Sequence, residues 1–397
     1  MERRKFYVIG IADNPERLEE KEVLKVIGNH LIFSGGKRHY ELVRELLPEG
    51  HAWINITVPL ETVFEQYKAY AEVVVFASGD PLFFGFANTL KKRMPEAEIQ
   101  VFPYFNSLQS LAHRIVMPYQ DMHMVSLTGR PWQEFDRSLI EGYEKIGVLT
   151  DRQHTPATIA GRMLEYGYSN YKMTVGECLG NTGERVRTME LERALQEEFL
   201  FPNCLILERI AMRERPFGIP ETEFHLLNGR TKMITKMPVR LLALSMMELH
   251  NRRSLWDIGF CTGSVSIEAR LQFPHLHITA FEQRPEGEAL MEQNCRKFGT
   301  PGIMAITGDF TGMDLSGFPK PDAVFVGGHG GKLERILEIL SAVLEKDGIV
   351  VFNSVSQESL EAFERYAPVH RLSIVNAVRM AVDDHNPITV IKAVCKG

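Results

Sequence analysis

Cysteine is scarce in this chain of 397 residues, and what there is forms no pattern. The five thiols (Cys178, Cys204, Cys261, Cys295 and Cys395) are odd in number and widely scattered, with no CxxC pair. That spacing argues against a disulfide framework or a zinc ribbon, and predicts reduced thiols in a cytoplasmic chain. No apolar run approaches the ~20 residues of a membrane span. The opening stretch MERRKFYVIGIADNPERLEE is charged on both sides of a short apolar run, which is not the layout of a signal peptide. An excess of positive charge is also missing: 45 Lys and Arg face 51 Asp and Glu, a net charge of −6. A protein that coats nucleic acid needs a basic surface, so neither nucleic acid nor membrane is an expected partner. There is no repeat at a fixed period and no low-complexity tract. One HxH pair, His275 and His277, opens a strand after Pro274 and reads as structural, so no metal is expected.

What is present is an ordinary globular composition, 44% hydrophobic and 24% charged, in a length that predicts two domains at roughly 100–200 residues each. Apolar runs at 5–11, 73–77, 124–127, 147–150 and 204–208 read as strands, with a helix predicted over 15–27 behind the first. The charged segment 211–224, AMRERPFGIPETEF, breaks the periodicity and is the expected linker, giving domains 1–211 and 212–397. Beyond it, a helix at 238–249 precedes seven strand candidates at 254–259, 277–282, 303–308, 323–327, 348–353, 370–375 and 388–394. Helices at 264–272, 285–298 and 333–345 separate the early strands, which describes a Rossmann-like doubly wound α/β sheet. The last two strands lack a long helix between them and predict an antiparallel hairpin at one edge.

The strongest chemical signal is LWDIGFCTGSVSIEA, a strand, a glycine turn and a helix. Gly259 and Gly263 allow a tight turn and a close ligand, and the helix from Ser264 aims free N–H groups into it. Glu282 ends the next strand, where an acid can accept both hydroxyl protons of a ribose. Asp309 closes the third strand beside Phe310, a carboxylate and an aromatic suited to adenine. A dinucleotide site wants a glycine where Cys261 stands, since pyrophosphate needs the closest backbone approach; S-adenosylmethionine carries no phosphate and tolerates the change. A second cluster places Gly327, Gly328, Gly330 and Gly331 around His329 at the end of the fourth strand, where substrate meets cofactor in an open sheet. Asn353 ends the fifth strand on the same rim. In the first half, Gly79-Asp80-Pro81, Asn106-Ser107 and Ser126-Leu127-Thr128-Gly129-Arg130 each follow a strand candidate and together outline a cleft.

These residues carry a family resemblance. GDPLFFG, NSLQSLAHRI, SLTGR, VLTDRQHTPATIA and GECLGNTGERV resemble the tetrapyrrole methylases, specifically the cobalamin-pathway C-5 methyltransferases, whose domain is a two-lobed α/β fold. FGIPETEF, ITKMPVR, WDIGFCTGSVSIEA, FVGGHGGKL and NSVSQESL resemble the decarboxylating C-15 methyltransferases of the same pathway. The pair in one chain is similar to the bifunctional precorrin-6Y C-5,15-methyltransferases. The sequence differs from the family where Ala12-Asp13-Asn14 replaces the usual end of a GxGPG turn, at Asn106, at Thr128 where histidine is expected, and at His329 where serine is common.

The resemblance implies S-adenosylmethionine-dependent methylation of a precorrin or cobalt-precorrin at C-5 and C-15, with decarboxylation of the ring C acetate, to give precorrin-8. It implies cofactor contacts at Gly79, Asp80, Pro81 and Ser107 in one half, and at Asp257, Gly259, Thr262, Gly263, Glu282 and Asp309 in the other. Lys236, His329 and Asn353 are the candidate catalytic residues; Arg130, Gly328, Gly330 and Lys332 are the candidate substrate contacts. Further basic residues expected to meet the substrate carboxylates are Lys37, Arg38 and Arg379. Self-association is also implied. Two alternatives stand beside this reading: an RNA methyltransferase, and a chain whose first half only docks the second. A dehydrogenase is a third.

Overall fold

The computed structural model describes residues 3–12, 20–230, 233–382 and 387–396. The predicted turn residues Asp13 and Asn14, and the start of the predicted helix at 15–19, lie outside them. Packing divides the chain into two compact units: Met1–Arg130, Glu144–Gly161 and Tyr171–Ile210 form the first; Pro131–Tyr143, Arg162–Asn170 and Ala211–Gly397 form the second.

Chain order begins with β1 (Lys5–Ile11), α1 (Lys21–Gly28), β2 (Ile32–Gly35), α2 (Lys37–Val43), β3 (Ala52–Asn55), α3 (Glu61–Tyr67), β4 (Glu72–Ser78), α4 (Phe86–Arg93) and β5 (Glu98–Phe102). These strands form one sheet in the order β3-β2-β4-β1-β5, parallel throughout. Its central strands read as unbroken apolar runs because both faces are covered: Phe6, Val8, Val73 and Val75 pack on one side, Ile9, Phe33, Val74 and Phe76 on the other. Next come α5 (Ser107–Arg114), β6 (His123–Ser126), α6 (Gln133–Glu141), β7 (Lys145–Leu149), α7 (Pro156–Glu165), β8 (Tyr171–Glu177), β9 (Arg185–Glu190), α8 (Leu191–Ala194) and β10 (Asn203–Arg209). The second sheet runs β6-β7-β10-β8-β9, with β10 antiparallel to both its neighbours. The first unit thus has the two sheets of a two-lobed α/β domain.

The second unit carries α9 (Met237–Met246), β11 (Ser254–Ile258), α10 (Ser264–Gln272), β12 (His277–Glu282), α11 (Gly287–Phe298), β13 (Ile303–Thr307), β14 (Ala323–Val326), α12 (Leu333–Val343), β15 (Ile349–Ser354), α13 (Gln357–Val369), β16 (Leu372–Met380) and β17 (Ile388–Cys395). The strand order is β13-β12-β11-β14-β15-β17-β16. The chain leaves the sheet centre in one direction after β11 and resumes on the other side at β14, so a crevice opens between the carboxyl ends of those two strands. The predicted edge hairpin is there: β17 lies antiparallel to β15 and to β16. β16 runs past its predicted end to Met380 because the β17 ladder continues through a bulge at Ile374/Asn376.

The segment 211–224 is no free linker in its second part. Ile219 and Phe224 are buried, and the Gly218 and Ile219 N–H groups donate to the Glu268 carboxylate at 2.6 and 3.2 Å. Glu268 is itself fully buried and paired at 3.0 Å with the equally buried Arg240 on α9. Arg240 also donates to the Thr235 carbonyl at 2.9 Å and to the Ile219 carbonyl. Two charges without water are tolerated here because backbone groups complete their shells. The result is a strap, described over residues 218–230 and 233–236, fixed onto α9 and α10, and it delivers Lys236 to the start of α9. Glu268→Gln leaves the Arg240 charge without its counterion, and is expected to cost about 3 kcal/mol of stability. Urea unfolding read by near-ultraviolet circular dichroism checks this; a loss under about 0.5 kcal/mol contradicts the strap's role.

Candidate active sites

In the second unit the turn after β11 is shaped by what passes over it. Gly259 has φ +76°, and a Cβ there would lie 2.7 Å from the Gly328 backbone nitrogen. No side chain fits in that gap, so the turns after β11 and β14 close to backbone contact. Gly327 N–H donates to the Ile258 carbonyl at 2.9 Å and secures the approach. Gly263, with φ +76°, starts α10 and has Met291 packed against the space its side chain would take. Cys261 adopts φ +51°, a left-handed backbone that a glycine takes without strain. Its N–H donates to Glu282 at 2.9 Å, and burial pushes its thiol up to about 11.

These turns border a cavity of about 1000 Å³. Asp257, Gly259, Glu282, Asp309, Lys236, His329, Asn353, Gly328, Gly330 and Lys332 all line it. Thr262 and Gly263 do not. Thr262 instead lends its carbonyl to Asn294, which also clasps the backbone of His225, so it fixes the turn from behind. Arg379 lies on β16, away from the cavity lining.

The polar groups of the wall differ in state. Glu282 is buried; its Oε1 accepts from the Arg284 backbone N–H and guanidinium at 3.0 and 3.2 Å, while Oε2 accepts only from Cys261 N–H and keeps a lone pair for a ligand hydroxyl. Asp309 is half-exposed, bonds Thr311, and is paired at 2.6 Å with Lys332, whose ammonium holds its carboxyl down at about 2. The two residues stand 23 positions apart, and no local pattern marks them as partners. His329 accepts an N–H from Gly331 on Nδ1 at 3.2 Å, so its neutral ring carries the proton on Nε2. Burial lowers its pKa, against the opposing charge of Glu358.

Two buried oxygens of the lining lack any partner among the described residues, Asp257 Oδ1 and Asn353 Oδ1. A buried polar atom without a hydrogen bond is costly, so both point to a ligand that donates. Asp257 Oδ2 is satisfied by Ser266 at 2.6 Å. Burial pushes the Asp257 carboxyl up to about 7, with the Glu282 charge adding to it.

The first unit repeats the device. A Cβ on Gly10 at the end of β1 would lie 2.2 Å from the Gly79 carbonyl oxygen after β4, and Gly79 has φ +61°. Gly79 N–H donates to the Ile11 carbonyl at 2.8 Å. Beside this contact lies a cavity of about 580 Å³ lined by Gly79, Ser107 and Arg130, together with Arg38 and Thr128. Asp80 and Pro81 are outside the wall. Asp80 caps the turn by accepting from Leu82 N–H at 2.8 Å, and the Pro81 ring packs over Gly10. Lys37 is not in the lining. Asn106 and Gln109 form the expected capping box at the start of α5. Thr128 donates to the Thr150 carbonyl, and buried Ser126 Oγ, in the same wall, has no partner among the described residues. Ser126 was visible only as part of the SLTGR motif.

No group of His, Cys, Asp and Glu suited to a metal occurs among the described residues, and none of their helices is long and apolar enough to cross a membrane. His275 bonds the Arg252 carbonyl at 3.0 Å.

The Asp257 shift sets a pH dependence. Between about pH 4 and pH 7 the folded state keeps a proton that the unfolded chain has lost, so this group lowers stability as pH rises through that window. Asp257→Asn removes the ionisation. Its stability relative to the parent is therefore expected to be higher at about pH 8 than at about pH 5. Urea unfolding at the two values measures the difference, and a difference of zero or the opposite sign contradicts the buried, unpartnered carboxyl.

Residues 228–393 match the family described as Precorrin methyltransferase domain, and residues 8–195 match Tetrapyrrole (Corrin/Porphyrin) Methylases. A Sinorhizobium protein named precorrin-6Y C(5,15)-methyltransferase (decarboxylating) is 33% identical over 356 residues, 88% of this chain and 84% of that protein. Two Salmonella typhimurium proteins match parts of the chain. One, named cobalt-precorrin-6B C(15)-methyltransferase (decarboxylating), is 39% identical over 39% of this chain and 76% of its own length. The other, named cobalt-precorrin-7 C(5)-methyltransferase, is 25% identical over 51% of this chain and 98% of its own length. With a full-length relative at this identity and a matching family on each half, the chain belongs to the precorrin-6Y C(5,15)-methyltransferase (decarboxylating) family.

Proposed function

We propose that the chain methylates a precorrin or cobalt-precorrin macrocycle at C-5 in its first unit and at C-15 in its second, with S-adenosylmethionine serving both. The second unit also releases CO2 from the acetate on ring C, and the product is precorrin-8. The observation that carries this reading is the pair of crevices, one per unit, each at a glycine contact between the carboxyl ends of neighbouring parallel strands. Family membership sets aside the RNA methyltransferase and dehydrogenase readings.

The residues fit the cofactor. Asp257 Oδ1 awaits a donor such as the ammonium of the methionine part; Glu282 Oε2 has a free lone pair for a ribose hydroxyl; Asp309 and Phe310 flank the place for adenine. In the first unit Gly79 and Ser107 are the corresponding contacts. When bound, S-adenosylmethionine supplies an electrophilic methyl group on a sulfonium. The protein's task is then alignment of a ring carbon with that methyl and exclusion of water.

Methylation leaves the ring short of an electron pair. Breaking the bond between the acetate CH2 and its carboxylate returns a pair to the ring and frees CO2, after which the remaining methylene takes up a proton and a ring N–H loses one. Asn353 accepts a hydrogen bond from the substrate edge through its unpartnered Oδ1, and His329, its neutral ring protonated on Nε2, donates one there, while the macrocycle N–H supplies the methylene's proton. Lys236 and Lys332 meet substrate carboxylates, while the Gly328 and Gly330 backbone lets the ring approach closely. Arg130 does the same service as a cation in the first unit. The chain acts in the cytoplasm and self-associates on this reading.

Incubation with precorrin-6Y and S-adenosylmethionine, and separately with the cobalt-containing ring, followed by mass spectrometry of the macrocycle, tests this. Gain of both methyl groups with loss of one CO2 is the expected result. One methyl with CO2 loss makes the first unit a scaffold, and no change with either ring overturns the proposal.

A further inference from the structure

The mouth of the first-unit cavity has a feature that cofactor binding does not use. Its lining includes Phe84, Phe105 and Phe201, which remain 42%, 45% and 46% exposed. Half-exposed rings gathered at one opening form the kind of apolar patch that marks a binding surface. Phe84 is held there at backbone cost: its φ is +52°, a left-handed conformation that a bulky side chain rarely takes. Strain of this kind persists where the surrounding structure enforces it, here in the GDPLFFG turn that the Gly10–Gly79 contact fixes.

Two of the rings carry a guanidinium. Arg130 lies over Phe84 with 5.0 Å to the ring centroid, and Arg152 over Phe201 with 4.9 Å. Neither arginine makes an ion pair with a carboxylate of the described residues. Asp151, next to Arg152, spends its oxygens on Gly129, Gln153 and His154. The rings come from both lobes of the unit: Phe84 follows β4 of the first sheet, and Phe201 precedes β10 of the second.

From this we infer that Phe84 with Arg130, and Phe201 with Arg152, form a clamp for the flat substrate of the first unit. The phenyl rings cover apolar parts of the macrocycle, and the guanidiniums, already oriented by stacking, take its peripheral carboxylates as bidentate partners. The clamp selects a large, apolar, polycarboxylate ring. It rests on the proposed C-5 methylation and adds to it the residues that set substrate affinity there, of which Arg152 lies within VLTDRQHTPATIA without having been singled out, and Phe201 belongs to none of the motif readings.

The test is steady-state kinetics of the C-5 step in the full chain, with the C-15 step measured in the same samples. Arg152→Gln is expected to raise the C-5 KM about tenfold with kcat within about twofold. Arg152→Lys, which keeps the charge but not the fork, recovers part of the loss. Phe84→Gly suits the φ of +52°, so it should raise KM while leaving the melting temperature unchanged or higher, which a merely structural ring does not do. In all three variants the stoichiometry of S-adenosylhomocysteine binding and the C-15 methylation stay as in the parent. A C-5 KM unchanged in Arg152→Gln and in Phe84→Gly overturns the clamp alone. A parent chain that never adds the C-5 methyl overturns the function reading, and the clamp with it.

Discussion

Both units depend on one steric constraint, a backbone-to-backbone approach between the turns after two neighbouring parallel strands. Gly259 meets Gly328 in the second unit, and Gly10 meets Gly79 in the first. A methyl group at Gly259 or Gly10 would lie under 3 Å from the facing backbone, closer than packed atoms allow. The two folds differ in strand order and in sheet number, yet each makes its crevice by drawing two turns together so that no side chain fills the gap. Everything else at the sites is hung on those turns.

Around that constraint the polar groups fall into two kinds. Some are spent on the fold: Glu268 and Arg240 hold the strap that carries Gly218 and Ile219, Asn294 ties the back of the glycine turn, and Asn106 caps α5. Others are held in place and left open, as Asp257 Oδ1, Asn353 Oδ1 and Ser126 Oγ are. The strap joins the two kinds, because the same buried ion pair that anchors it also places Lys236 in the cavity wall.

The strands of the second unit were legible because strands covered on both faces read as plain apolar runs, bounded here by glycine and charge. At or just beyond their carboxyl ends Glu282, Asp309, His329 and Asn353 line one cavity. The second unit resumes at Ala211, where the charged segment 211–224 begins, but the anchoring of that segment was not legible: what binds Gly218 and Ile219 is Glu268, about fifty residues on, and no local pattern reports so distant a partner. The pairing of Asp309 with Lys332 was hidden for the same reason. Asp80 and Pro81 were nominated from a motif, and the structure places them in the turn rather than in the wall. The left-handed backbone of Phe84 could not be foreseen, since its residue type disfavours it and the turn around it is closed by bonds such as Phe83 N–H to the Asp80 carbonyl and the Asn88 amide to the Leu82 carbonyl.

The central claim is that one chain holds two separate nucleoside crevices. Calorimetric titration of the full chain with S-adenosylhomocysteine tests it most directly. The account predicts two molecules bound per chain, with one site weakened in Asp257→Asn and the other untouched. Binding of a single molecule, abolished by Asp257→Asn, would contradict it and leave the first unit without a cofactor.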